Sequence, residues 1–144
     1  MSIKWDRRFM NLAHEVATWS KDPSTQCGAV IVDANRRVVA TGYNGFPRGV
    51  DDNPTRYNDR DEKYRYVVHA EANAILNAVA SVKGGTLYVN PMQPCQECAK
   101  LVIQSGIKRV VTLPPSEERK ARWRESFAAA AIMFEEAGVE VEFA

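Results

Sequence analysis

The sequence predicts an α/β fold: a three-layer α/β/α sandwich around a central mixed five-stranded sheet. Three observations carry that expectation. Two apolar runs joined by five mostly polar residues read as an opening hairpin. From there on, helical periodicity alternates with short apolar runs, the pattern of strands linked by crossover helices. Glycines stand where the helical stretches have to stop.

The elements follow in order. Phe9, Leu12, Ala13 and Val16 recur at helical spacing, which predicts an amphipathic helix over 5–19. Ser20-Lys21-Asp22-Pro23-Ser24-Thr25 breaks it as a loop. Residues 29–32 and 38–41 read as strands, with 33–37 as their connection. A turn-rich, charged segment runs from Gly42 to about Arg65; a loop that long in a small protein is functional or mobile. Ala72, Ile75, Leu76 and Val79 mark a second helix, stopped by Gly84-Gly85. A strand at 86–89, a helix from Cys95 to Gln104 ended by Gly106, and a strand at 109–113 come next. A long helix over 122–137, capped by Gly138, leads into a last strand at 139–143.

Composition narrows the function classes. The chain has 144 residues, which fits one domain over 1–144. A chain of that size buries roughly 68% of its unfolded surface, enough for a core without staples. Nineteen Lys plus Arg against 18 Asp plus Glu leave a net charge of +1. That gives no broad field for gripping a nucleic-acid backbone. No apolar stretch approaches the ~20 residues that cross a bilayer. The start, Met1 to Arg8, lacks the apolar run of a signal peptide, so a cytoplasmic protein is expected. Three cysteines, an odd number, argue against a disulfide framework and leave metal binding or catalysis open.

The chemistry concentrates in His69-Ala70-Glu71 and Pro94-Cys95-Gln96-Glu97-Cys98. Cysteines at i and i+3 in the first turn of a helix place their sulfurs on one face, and the helix N-terminus favours thiolates there. Such a pair serves redox chemistry, a structural zinc or a catalytic zinc. His69, also at an expected helix start, offers a third ligand and weakens the redox reading. A structural zinc needs a fourth. His14 lies within an apolar helix pattern and Cys27 beside a strand, where packing roles are the commoner ones. Three ligands without an evident fourth describe an open Zn²⁺ site with water in the last position. Glu71, two residues from His69, can take a proton from that water, although a glutamate in a first helical turn also simply complements the macrodipole.

The H-x-E…P-C-x-x-C arrangement is the signature of zinc-dependent nucleobase deaminases. With Ser20-Lys21-Asp22-Pro23, Gly28-Ala29, Gly42-Tyr43-Asn44-Gly45, His69 to Ile75 and Pro94 to Lys100, the chain resembles deoxycytidylate (dCMP) deaminases over roughly residues 5–113. The resemblance implies a cytidine deaminase-like fold and hydrolysis of dCMP to dUMP and ammonia. It implies one Zn²⁺ held by His69, Cys95 and Cys98, with Glu71 delivering the water's proton to N3 of the base and then protonating the departing amine. Asn44, Ala70 and the backbone near Pro94 would orient base and sugar, and Lys21, Ser24 and Thr25 would meet the phosphate. Asn44 in a turn, and the 20–25 loop at a helix end, also have purely structural readings. The resemblance further implies homo-oligomers from dimer to hexamer. It implies dCTP and dTTP as effectors with Mg²⁺, and Gly42, Tyr43, Asn44 and Gly45 resemble the regulatory-nucleotide region.

One segment departs from the family pattern. In that family an aromatic residue often follows the strand equivalent to 109–113 and stacks on the base. Here Pro114 to Arg124 holds no tyrosine; Trp123 can replace it, while its spacing to Phe127 equally fits a core residue. The alternatives are a deaminase of cytidine or CMP, guanine or tRNA adenosine, a non-catalytic zinc-stabilised interaction module, and a thiol redox protein.

Overall fold

The computed structural model describes residues 3–144. Helix α1 (Ile3–Ala17) leads into strands β1 (Gly28–Val32) and β2 (Val38–Tyr43). Helices α2 (Pro54–Asn58), α3 (Arg60–Tyr66) and α4 (Ala70–Leu76) precede β3 (Thr86–Asn90). Then come α5 (Gln96–Gln104), β4 (Arg109–Thr112), α6 (Glu117–Arg122), α7 (Arg124–Ala137) and β5 (Glu140–Phe143).

The five strands form one mixed sheet in the order β2-β1-β3-β4-β5. β1 is antiparallel to β2 and β3, whereas β3/β4 and β4/β5 are parallel. Side-chain alternation then sorts two cores. Val30, Val32, Tyr88 and Val111 face one side, where Phe9, Met10, Ala13 and Val16 of α1 cover them. Ala29, Ile31, Leu87, Val89 and Val110 face the other, against Ala70 and Ala74 of α4, Ala99 and Val102 of α5, and Ala130 and Phe134 of α7. β1, β3 and β4 are buried at every position, which is why they read as continuous apolar runs rather than alternating ones. The expected three-layer α/β/α sandwich is thus the observed one.

Four expectations need correction. The first helix ends at Ala17, because Thr18, Trp19 and Ser20 donate to carbonyls three residues back in a tight turn. α4 ends at Leu76, not Val79; the Val79 amide donates to the Val39 carbonyl at 3.0 Å, which draws the chain onto the β2 edge. The turn-rich segment contains two helices. Asn53 caps α2 ahead of Pro54, and Asp59 caps α3 by accepting from the Asp61 and Glu62 amides. The helix expected from 122 is broken at Trp123, and the short α6, capped by Ser116, precedes it. Gly138 does cap α7, at φ 76°, a conformation that a side chain would strain.

Candidate active site

The sheet register brings the start of β1 beside the ends of β2 and β3: Gly28 pairs with both Tyr43 and Asn90. The site lies at this end, where the chain leaves β3 for α5 and enters α4.

His69 and Cys95 are the N-cap residues of α4 and α5, and neither side chain caps its own helix. Both are therefore free to face the same point. The chain just before His69 is pinned by a two-way bridge, Val68 N to Gly45 O at 2.7 Å and Gly45 N to Val68 O at 3.1 Å. Asn73 of α4 donates to the Tyr43 carbonyl at 2.8 Å. Gly42 lets α4 approach β2 closely; a Cβ there would strike Ala74 N and lie 2.5 Å from Ala70 O. On the other side, the Ser126 hydroxyl accepts from the Gln96 amide at 2.9 Å and ties α5 to α7.

The result is a compact donor group. His69 Nδ1 lies 3.5 Å from Cys95 Sγ and 3.3 Å from Cys98 Sγ, and all three donor atoms fall within 4.8 Å of one another. Tetrahedral Zn²⁺ with its usual bond lengths needs N···S separations of roughly 3.5 Å. The residues present fit that ion, and no fourth His, Cys, Asp or Glu joins the group among the described residues. The charges agree. The Cys95 thiol is pulled down to about 4, first by its hydrogen bond with Cys98 and then by His69. Cys98 is pushed up because it keeps the shared proton and is buried. His69 is raised by its bond to Cys95. Two sulfurs competing for one proton beside an imidazole is a donor set that a divalent cation satisfies.

Glu71, in the first turn of α4, is 6% exposed and lines the same cavity. Burial pushes its carboxyl up to about 7, against a lesser opposing pull from His69. A carboxyl held there can take up and release protons near neutral pH.

The cavity has a volume of about 400 Å³, in the range of small-molecule sites. Of the residues singled out in the sequence, it brings together His69, Ala70, Glu71, Cys95, Ser24, Thr25 and Asn44. Pro94 is buried beside it. Lys21 is not among the lining residues; it projects outward and pairs with Asp52 at 2.9 Å. Asn44 uses its amide internally: Oδ1 accepts from Cys27 N at 2.8 Å, and Nδ2 donates to Thr25 O at 2.9 Å and Asp22 Oδ2 at 3.3 Å. Tyr43 is exposed on the outer side of this turn. Cys27 also lines the cavity, its thiol pushed up to about 12 by burial.

The structure adds lining residues that the sequence reading passed over. Arg60, Arg119 and Arg122 bring positive charge. Arg122 pairs with Glu118 at 3.3 Å, whereas Arg60 and Arg119 have no carboxylate partner among the described residues. Trp123, which the sequence did offer as an aromatic for the base, lines the cavity as well and meets Tyr64 edge-on at 6.2 Å between centroids. Gln93, two residues before Cys95, also lines it, and its Oε1 is buried without a hydrogen-bond partner among the described residues.

Residues 3–113 match the family model for the cytidine and deoxycytidylate deaminase zinc-binding region. A sequence described as an uncharacterized deaminase of the luxG 3′ region in Aliivibrio fischeri is 44% identical over 141 residues, which cover 98% of this chain and 94% of that one. The deoxycytidylate deaminase of Mus musculus is 45% identical over 143 residues, covering 95% and 78%. The apo crystal structure of a dCMP deaminase from cyanophage S-TIM5 superposes with a TM-score of 0.78 at 26% identity, covering 100% of both chains.

Proposed function

This chain belongs to the cytidine and deoxycytidylate deaminase family, and we propose that it hydrolyses dCMP to dUMP and ammonia. The observation that carries this reading is one cavity lined by His69 and Cys95, which form the donor group with the buried Cys98, together with the buried Glu71 carboxyl and the Arg60, Arg119 and Arg122 cations. A nucleoside monophosphate needs both ends: a site for the base and a donor-rich rim for the phosphate.

Bound to His69, Cys95 and Cys98, Zn²⁺ supplies a Lewis acid that brings the pKa of a water towards ~7. Everything else falls to the chain. Glu71 takes a proton from the attacking water and gives it to N3 of the cytosine; it then takes the remaining proton of the added hydroxyl and gives it to the amine, which departs as ammonia. Its burial keeps bulk water from competing for that proton. Ala70 and the 93–95 loop flank the base. Ser24, Thr25, Arg60, Arg119 and Arg122 meet the phosphate. Asn44 orients the sugar side of the pocket, and Trp123 supplies the aromatic surface for the base.

Assembly into dimers to hexamers, regulation by dCTP and dTTP with Mg²⁺ around Gly42 to Gly45, and a cytoplasmic location belong to the same reading. The family resemblance supports them. No described helix is long and apolar enough to cross a membrane.

The test is a panel of dCMP, CMP, cytidine, guanine and adenosine on zinc-loaded protein, with ammonia release as the readout. The highest kcat/KM is expected for dCMP. Glu71→Gln is expected to keep zinc and fold but lower kcat by at least about 10³-fold. Faster turnover of guanine or adenosine, or an active Glu71→Gln, overturns the proposal.

A further inference from the structure

We infer that Lys63 is a positioning residue for substrate binding, acting through Asp22 on the pocket wall formed by the 22–25 loop and Asn44. The inference rests on the function proposed above.

Lys63 sits in α3, within a mixed-charge run that reads as a solvated surface. Instead it is 8% exposed, a rare state for a lysine unless it is paired. Its Nζ lies 3.3 Å from Asp22 Oδ1, and that carboxylate is itself buried. The same Oδ1 accepts from the Ser24 amide at 2.8 Å and the Thr25 amide at 3.2 Å. Oδ2 accepts from Asn44 Nδ2 at 3.3 Å, and Asn44 passes the tie to Cys27 N at 2.8 Å.

One carboxylate thus gathers four donors from three separate stretches of chain. Three are amides, which satisfy its lone pairs but leave its charge uncompensated. A buried charge without a counter-charge is costly, and Lys63 supplies the only cation paired with Asp22 among the described residues. Without it the carboxylate draws water or shifts, and the 22–25 loop and Asn44 shift with it. Those groups face the phosphate and sugar. His69, Glu71, Cys95 and Cys98 sit on α4 and α5, outside this network. The consequence is specific: losing Lys63 weakens binding more than the chemical step.

The experiment is a double-mutant cycle with Lys63→Met, Asp22→Asn and the combined variant, each checked for zinc content and cooperative melting. Lys63→Met is expected to raise KM for dCMP at least about tenfold with kcat within about threefold, the pattern of lost binding rather than lost transition-state contact. The double variant is expected to have a KM no higher than the worse single, because the two act as one unit. An unchanged KM in Lys63→Met overturns the inference, as does a kcat that falls as steeply as kcat/KM. Multiplying KM effects also overturn it, since Lys63 then acts on substrate directly. If Lys63→Met does not fold, Lys63→Gln takes its place in the cycle with the same criteria. Wild-type protein inactive on dCMP refutes the proposed substrate instead, and the cycle is then read on whichever member of the panel is turned over.

Discussion

Asp6→Asn removes one arm of a buried charge network that ties α1 to β4 and β5 on the face of the sheet that α1 covers. Arg109 of β4 has a side chain only 9% exposed. Its Nη1 and Nη2 reach Asp6 Oδ1 and Oδ2 at 3.0 and 2.6 Å, and its Nε and Nη2 reach Glu142 Oε1 and Oε2 at 2.9 Å each. The Tyr88 hydroxyl also donates to Asp6 Oδ1, at 2.7 Å. Removing a buried partner costs about 3 to 5 kcal/mol. Glu142 still holds the guanidinium in the variant, so the lower figure applies, and about 3 kcal/mol corresponds to a fall of about 9 °C in Tm for a chain of this size. Glu142 is half-exposed, so Glu142→Gln costs no more than about 1 kcal/mol. Thermal melts followed by circular dichroism test the asymmetry. The pH dependence has a fixed sign. The Arg109 guanidinium holds the Asp6 carboxyl below its ordinary 3.8, so the folded state binds fewer protons than the unfolded one. The stabilisation is complete above the unfolded value and lost as pH falls through the folded one. The Tm gap between wild type and Asp6→Asn should therefore close as pH drops below about 4. Equal losses for the two variants, or a gap that widens in acid, refutes the reasoning.

Other expectations follow from the same contacts. Gly42→Ala drives a Cβ into the α4 backbone at Ala70 and Ala74; it should cost about 3 kcal/mol and, by displacing Glu71, about a hundredfold in kcat, read from melts and steady-state kinetics. Gln93→Leu removes a buried acceptor without a partner, so it should raise stability by about 1 kcal/mol while raising KM. A stabilised variant with unchanged KM shows that Gln93 does not meet substrate. Cys95→Ser should lower the zinc bound per chain, measured by elemental analysis, and turnover should fall in proportion to the metal lost.

Much of the fold was legible because burial on both faces of the central strands writes itself into the sequence as apolar runs, and Gly106 and Gly138 mark helix ends. The helices inside 42–66 escaped for a different reason. Asn53-Pro54 and Asp59 to Glu62 carry capping signals, yet asparagine, aspartate and proline are equally the vocabulary of turns. What separates the two is the packing of Phe46 on Tyr57, at 4.3 Å between stacked rings, which no local pattern specifies. The Asp6–Arg109 bond spans 103 positions and has no sequence signature at all.

The candidate site divides along the same line. Its reactive half is encoded locally: His69-x-Glu71 and Cys95-x-x-Cys98 are short motifs at the starts of α4 and α5, and their spacing singles them out once it is joined to the family signature. The half that would choose the substrate is assembled from residues as distant as Asp22, Lys63 and Arg119, each unremarkable in its own neighbourhood. That separation has a mechanical consequence. The donor group is braced by Gly42, Val68 and Ser126, none of which touches Asp22 or Lys63 in the hydrogen-bond network. Changes in the 22–25 loop, α3 or α6 can therefore alter which nucleotide is accepted while leaving the His69, Cys95 and Cys98 donor group in place. A change at Gly42 must disturb the buried Glu71 carboxyl whatever the substrate.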